Sequence, residues 1–188
     1  MRFTNVLLLN AGLAVGAFGQ SAPVLELGGQ YQMLRVGSGN GLPSFIANGG
    51  TGSLQVNFLE QIAGVLEVGM VHNGDINGLQ LNSNWLSYLV GPRVSLRNRS
   101  SKLIPALEYL VGGTTVFGSG TPPGTGILVS RNTTGFAMAV GGTLDIRLNH
   151  AVAFRPVQLD YFLTRVNNSF KQNNLRYGAG VIFTLGKQ

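Results

Sequence analysis

Residues 142–165 read GTLDIRLNHAVAFRPVQLDYFLTR. Two segments rich in Leu, Ile, Val and aromatic residues carry charges in their middle, Asp145 and Arg147 in the first and Arg155 and Asp160 in the second. Successive side chains of a β-strand point to opposite faces, so a strand of alternating residues has one polar and one apolar face. The stretch therefore predicts two strands joined by a short turn, each with charges in an otherwise apolar segment.

Alternation with period two recurs along the rest of the chain and predicts eight strands. They lie within residues 24–36, 53–58, 66–70, 88–97, 103–112, 136–147, 152–165 and 175–185. The connections that are long or rich in Gly, Asn and Pro are residues 37–51, 73–84, 114–133 and 166–173, and those between them are short. Outer-membrane barrels have this asymmetry, with short periplasmic turns and longer external loops. We therefore predict an all-β fold, an eight-stranded antiparallel up-and-down transmembrane β-barrel.

The composition favours a membrane barrel over a soluble domain. The 188 residues include 28 Gly and no Cys, and only 11% are charged although 44% are hydrophobic. A soluble surface usually needs more charge than that. The net charge of +6 would ordinarily suggest nucleic acid, but the basic residues are scattered and form no Lys/Arg run. We therefore expect no nucleic-acid partner, and we assign the positive excess to loop cations near anionic lipid headgroups.

The N-terminus predicts export from the cytoplasm. A basic residue precedes an apolar run at residues 6–18, and small residues stand at Ala17 and Gly19, where signal peptidase requires them. A membrane anchor is the alternative interpretation, but the apolar run is short for one. We expect residues 1–19 to be a signal peptide and residues 20–188 to form one outer-membrane β-barrel domain.

Alternation alone does not decide whether the apolar face points to lipid or to a core. A soluble lipocalin-like carrier would have its polar face outside, yet here that face is rich in Gly, Ala, Ser and Thr. If the charged face met lipid, each Arg at the midplane would cost ~2–4 kcal/mol, and several together would offset the stability of a whole domain. The charges must face the lumen. The expected lumen charge network, structural in role, comprises Glu26, Glu67, Arg93, Arg97, Glu108, Asp145, Arg147, Arg155, Asp160 and Arg176.

Aromatic residues cluster toward the strand ends, as they do in the two interfacial girdles of an outer-membrane barrel. The expected interfacial aromatics are Trp85, Tyr88, Phe136, Tyr161 and Tyr177 toward the loops, and Phe58, Phe154 and Phe183 toward the turns. Such girdles place their rings at the boundary between membrane and water.

The seventh strand requires an irregularity. Arg155 and Asp160 have opposite parity, so both can face the lumen only if an extra residue intervenes. Pro156 lies between them, and a β-bulge is where a strand tolerates proline. We therefore predict a bulge at Pro156.

Four segments carry a resemblance to a known family: YLVGPRVSLR, GGTLDIRL, VQLDYFLTR and NNLRYGAGVIF. With the eight amphipathic strands, they resemble the small outer-membrane barrels of the OmpA/OmpX-like class over essentially all of residues 20–188. The resemblance implies location in the outer membrane and a structural or surface-interaction role through external loops. The segments do not resemble a peptidoglycan-binding domain, so anchoring to the cell wall is not implied.

Candidate chemistry is sparse. The Gly-rich segments at residues 37–41 and 118–126 lack the Lys-Ser/Thr pair of phosphate loops and are interpreted as external loops. His72 and His150 lie near opposite strand ends and cannot share a metal. His72 with Ser87 is the only pair to nominate for a lipid-A-modifying enzyme, and in the predicted register they face opposite sides.

We therefore expect no catalytic residue, no metal and no cofactor. Expected partners are outer-membrane lipid and, through the loops, an extracellular ligand, and the barrel is expected to be a monomer. A narrow channel, a lipid-A-modifying barrel enzyme and a lipocalin-like soluble carrier stay open as alternatives. Eight strands leave an interior that side chains fill, which argues against a wide pore.

Overall fold

The computed structural model describes residues 25–38, 44–74, 81–98, 101–120, 129–166 and 170–186, and within them it contains a closed eight-stranded barrel. Every neighbouring pair of strands is antiparallel and β1 pairs with β8, which confirms the predicted fold class. The strands are β1 (Leu25–Val36), β2 (Phe45–Asn57), β3 (Ile62–Asn73), β4 (Leu81–Ser95), β5 (Leu103–Gly120), β6 (Val129–Arg147), β7 (Val152–Val166) and β8 (Phe170–Leu185). The predicted signal peptide lies outside the described residues.

The two faces of the strands have the polarity that the alternation predicts. On β3, Glu67 is 2% exposed and lies on the inner face, whereas Leu66 and Val68 are 47% and 49% exposed on the outer face. The other strands repeat this arrangement, with most of the large exposed apolar side chains pointing outward. A soluble lipocalin-like barrel would have the reverse polarity, so that alternative is wrong. No described residues form a helix that is long and apolar enough to cross a membrane.

Most strands extend further toward the long connections than the sequence predicts. The segment 37–51 is not all loop, because β2 begins at Phe45 and pairs with β1 from there onward. Likewise the β5–β6 ladder continues to Gly120 and Val129, inside the predicted loop 114–133. Beyond the apolar band the outward residues no longer need to be hydrophobic. The hairpins therefore continue in Gly, Asn and Thr without the period-two signal.

Some inward glycines are required by close approach of the backbone. A Cβ at Gly49 would lie 1.9 Å from the carbonyl oxygen of Met70 on β3, and one at Gly91 would lie 2.0 Å from the carbonyl oxygen of Tyr109 on β5. Only glycine fits where neighbouring strands approach this closely in a narrow barrel.

Strand β7 contains a bulge where the parity of its charges requires one. Its register against β8 shifts between Arg155 and Gln158, so Pro156 lies inside the irregularity. The carbonyl oxygen of Pro156 accepts a hydrogen bond from the Tyr177 hydroxyl at 3.0 Å. Because of this shift, Arg155 and Asp160 both face the lumen, at 1% and 0% exposure.

The lumen is filled in two layers. Toward the external ends of the strands, buried apolar side chains of β1 to β7 pack together, including Leu34, Phe45, Val71, Trp85 and Phe162. Toward the periplasmic ends the lumen contains the charged residues, interleaved with Gln and Asn. The charge network therefore has an apolar layer on one side and the short periplasmic turns on the other.

Candidate functional site

Arg176 on β8 lies at the centre of the lumen. Its Nε donates to Asp160 Oδ2 on β7 at 2.8 Å, and its Nη1 donates to Glu67 on β3, across the barrel. The guanidinium carbon lies 5.6 Å from the centre of the Phe162 ring, within the range of a cation–π interaction. Arg176 thus links the charged layer to the apolar layer above it.

Arg93 and Glu108 form a second ion pair between β4 and β5. Arg93 Nε donates to Glu108 Oε2 at 2.9 Å, and Nη2 of the same guanidinium also contacts that oxygen. Arg93 Nη1 donates to Gln55 Oε1 at 2.6 Å, so the pair is tied to β2 as well. Both side chains are almost fully buried, and these contacts replace the water that a buried charge loses.

Gln158 connects the ion pairs of the lumen. Its side-chain Nε2 donates to Glu108 Oε1 at 2.8 Å and to Asp160 Oδ2 at 2.9 Å. Its Oε1 accepts from Gln30 Nε2 at 2.9 Å and from Arg155 Nη1 at 3.2 Å. Gln158 is absent from the predicted network because it is uncharged, although its parity with Asp160 on β7 already places it inward.

The ion pairs nearest the periplasm are Arg155 with Asp145 and Arg97 with Glu26. Arg155 donates from Nε and Nη2 to the two carboxylate oxygens of Asp145, at 2.6 and 2.9 Å, in bidentate geometry. Arg97 Nη2 donates to Glu26 Oε1 at 2.6 Å. The structure thus joins nine of the ten predicted network residues in ion pairs.

Arg147 is the tenth residue, and it forms no ion pair with any described residue. It lines a cavity of about 20 Å³ at the periplasmic mouth, together with Arg97 and Glu26. That volume accommodates about one water molecule. Arg147 therefore lies at the edge of the network, near water, where an unpaired guanidinium costs little.

Seven of the eight predicted interfacial aromatics lie on the outer surface, and one does not. Phe58, Tyr88, Phe136, Phe154, Tyr161 and Phe183 are exposed, and Tyr177 is half-buried on the outer face. Trp85 is the correction: it is 5% exposed inside the lumen, and its Nε1 donates to Ser83 Oγ at 2.8 Å. Trp85 shares parity with Arg93 on β4, which is why it points inward. Tyr31, omitted from the prediction, is exposed on the outer face, and its hydroxyl donates to Asn48 at 2.7 Å.

The residues nominated for other chemistry are far from forming a site. His72 is exposed on the outer face, with its Nδ1 2.8 Å from Asn84 Oδ1, whereas Ser87 is buried on the inner face. His150 is exposed in the β6–β7 turn. Within the described ranges, no three His, Cys, Asp or Glu side chains are grouped so that they could hold a metal ion.

Comparison with known proteins rests on structure alone, because no protein-family model and no curated protein sequence matches the chain. The attachment invasion locus protein Ail of Yersinia pestis superposes with a TM-score of 0.63 over 86% of this chain and 99% of Ail, at 16% identity. The chain has the fold of the small eight-stranded outer-membrane barrels. Neisserial surface protein A gives a TM-score of 0.66 at 12% identity, covering 86% of this chain and 97% of that one. OprG, an outer membrane protein of Pseudomonas aeruginosa, gives 0.55 at 11% identity, covering 89% and 98%.

Proposed function

We propose that the protein is an integral outer-membrane β-barrel with a structural or surface-interaction role. The observation that carries this proposal is the polarity of the barrel, with an apolar outer surface around a lumen of buried charges. Lipid is the solvent that such an outer surface needs, since in water large exposed apolar patches promote association. Export by the predicted signal peptide at residues 1–19 and a monomeric state belong to the same proposal.

We propose that the lumen charge network holds the barrel closed and does not conduct or catalyse. Nine of its ten charged residues are engaged with one another, and breaking a buried pair leaves an uncompensated charge. His72 and Ser87, the pair nominated for catalysis, lie on opposite faces of the barrel wall. The neighbours with this fold carry names of surface and outer-membrane proteins, which supports a role without catalysis.

The external loops are the proposed contact regions. Residues 39–43, 75–80, 121–128 and 167–169 connect the external strand ends and lie outside the described residues. Strands β5 and β6 form the longest ladder, and its external end is the pair Gly120 and Val129. Ail, which shares the fold, has been crystallised with a heparin analogue, sucrose octasulfate. A sulfated saccharide is therefore a reasonable first ligand to test.

Membrane fractionation followed by gel electrophoresis of the extracted protein, with and without boiling, tests the membrane assignment. We expect the protein to require detergent and to migrate differently before and after boiling, since a closed barrel resists dodecyl sulfate until it is heated. A soluble periplasmic protein with one mobility would contradict the proposal.

Shortening the β5–β6 connection tests the contact role. Replacing residues 121–128 by a two-residue Asn-Gly turn suits a ladder that pairs Gly120 with Val129. We expect cells expressing this variant to adhere less to a heparin-coated surface, while the heat-dependent mobility is retained. The matched control is Glu60→Gln in the exposed periplasmic β2–β3 turn, which leaves every external connection unchanged. Unchanged adhesion after shortening all four connections would remove the contact role.

A further inference from the structure

A small cavity lies at the periplasmic mouth of the lumen, where the charge network ends. Its volume is about 20 Å³, which is enough for one small ion or molecule. Its charged lining consists of two arginines, Arg97 and Arg147, and two carboxylates, Glu26 and Asp145, and apolar side chains of β5, β7 and β8 lie beside them. The cavity is therefore a charged site close to the water of the periplasmic side.

Both carboxylates of the cavity already have arginine partners. The two oxygens of Asp145 accept from Arg155, at 2.6 and 2.9 Å. Glu26 Oε1 accepts from Arg97 Nη2 at 2.6 Å. The three guanidinium groups of Arg97, Arg147 and Arg155 therefore meet only two carboxylates, which leaves this end of the lumen with one positive charge in excess.

Hydrogen-bond donors at this end of the lumen also lack acceptors. Arg97 Nε is buried without a hydrogen-bond partner, and the guanidinium of Arg147 forms no hydrogen bond or ion pair within the described ranges. Asn149 lines the same cavity, and its Oδ1 already accepts from the backbone N–H groups of Ala151 and Val152 at 2.8 Å, which leaves its amide NH₂ group for a ligand. A buried N–H group without an acceptor is costly. The cavity therefore combines excess positive charge with unsatisfied donors.

We propose that the cavity binds one small monovalent anion, of about the size of chloride, between Arg97 and Arg147. Guanidinium groups have only N–H donors, so the ligand that they hold must be an acceptor. A water molecule fits the volume and accepts hydrogen bonds, but it does not balance the excess positive charge. Sulfate and phosphate are too large for a cavity of this volume. The bound anion completes the charge balance at the periplasmic end, and this site goes beyond the structural or surface-interaction role proposed above.

Urea unfolding in a neutral detergent, followed by the fluorescence of Trp85, tests this site. Sodium chloride is exchanged for sodium gluconate at constant sodium concentration, because gluconate is too large for the cavity. We expect the unfolding midpoint to rise with chloride, since an anion that binds only the folded barrel stabilises it. At a chloride concentration ten times the dissociation constant, the rise should be about 0.5–1.4 M urea.

Three variants locate the response to chloride. R147Q should lose most of it, and its midpoint in gluconate should stay close to that of the parent protein, because Arg147 forms no ion pair that the change would break. Ala153→Val keeps every charge and fills the cavity that Ala153 lines, so it should lose the response as well. R35Q is the matched control: it removes an exposed arginine at the external end of β1 and should keep the full response.

The same measurements can overturn the anion site. No rise with chloride in the parent protein, or the same rise in R147Q as in the parent, would do so. A full response in Ala153→Val would place the ion outside this cavity and would overturn the site as well. The outer-membrane assignment fails separately, since Trp85 lies in the lumen and reports unfolding whether or not the protein needs detergent. A soluble protein that responds to chloride would contradict the proposed function and support the anion site.

Discussion

Replacing Glu108 with glutamine should lower the free energy of unfolding by about 3–5 kcal/mol, the usual cost of removing one partner of a buried ion pair. Glu108 is buried, and its two oxygens accept from Arg93 Nε at 2.9 Å and from Gln158 Nε2 at 2.8 Å. A glutamine has the same shape but only one accepting oxygen. Whichever way its amide turns, one of these two donors faces an NH₂ group, and the guanidinium of Arg93 loses its countercharge.

Urea unfolding of the barrel in phosphatidylcholine vesicles, followed by the fraction of heat-modifiable band, measures this difference. Glu60→Gln in the exposed β2–β3 turn is the matched control. It should change the free energy of unfolding by less than about 0.5 kcal/mol. The double variant Arg93→Met with Glu108→Gln should recover part of the loss, because it removes the unpaired cation. An unchanged midpoint for Glu108→Gln would refute a structural role for this carboxylate. Strict additivity in the double variant would refute the proposed reason.

Three further predictions test the lumen and its walls. Trp85, the single tryptophan, lies inside the barrel, so brominated phospholipids should quench its fluorescence only weakly. The double variant Trp85→Phe with Tyr88→Trp moves the tryptophan to the outer face and should be quenched strongly. Equal quenching of the two proteins would place Trp85 on the outer face. Gly49→Ala would bring a Cβ within 1.9 Å of the Met70 carbonyl oxygen. We expect urea unfolding to show a free energy of unfolding lower by ~1–3 kcal/mol. Gly29→Ala is the control that should be unaffected, because a Cβ there meets nothing within 4 Å. In planar bilayers the protein should show no steady ion conductance, because both layers of the lumen are filled by side chains; a reproducible single-channel current would contradict a closed lumen.

The periplasmic ends of the strands could be predicted from the sequence more closely than the external ends. The predicted starts of β5 at Leu103 and of β7 at Val152 agree with the structure, because tight turns bring the strong apolar alternation to an abrupt end. Most external ends lie further out than predicted, as for β2, which starts at Phe45, whereas β1 ends at Val36 as predicted. At the external ends the hydrogen bonds between strands continue beyond the apolar band. Outward residues there need not be hydrophobic, so the sequence lacks the period-two alternation that predicts a strand.

Parity within a strand was enough to predict which charges point inward, but pairing across the barrel was not predictable. Glu67 and Arg176 are 109 residues apart in sequence and meet only because β3 and β8 face each other across the closed barrel. Which acid meets which arginine depends on the register of every strand between them. Trp85 has the residue type of an interfacial aromatic, and only its parity with Arg93 on β4 indicates that it points into the lumen.

The two layers of the lumen are two different barriers to the passage of an ion. Passage of an ion would require the charges around Arg176 to separate and the apolar layer, including Trp85 and Phe162, to admit water. The first step would leave buried charges unpaired, and the second would move an ion through an apolar layer. Both steps are unfavourable. A lumen closed by two unlike barriers is consistent with the proposed structural role. Under the proposed function, contact with a partner is then expected at the external connections and not through the lumen.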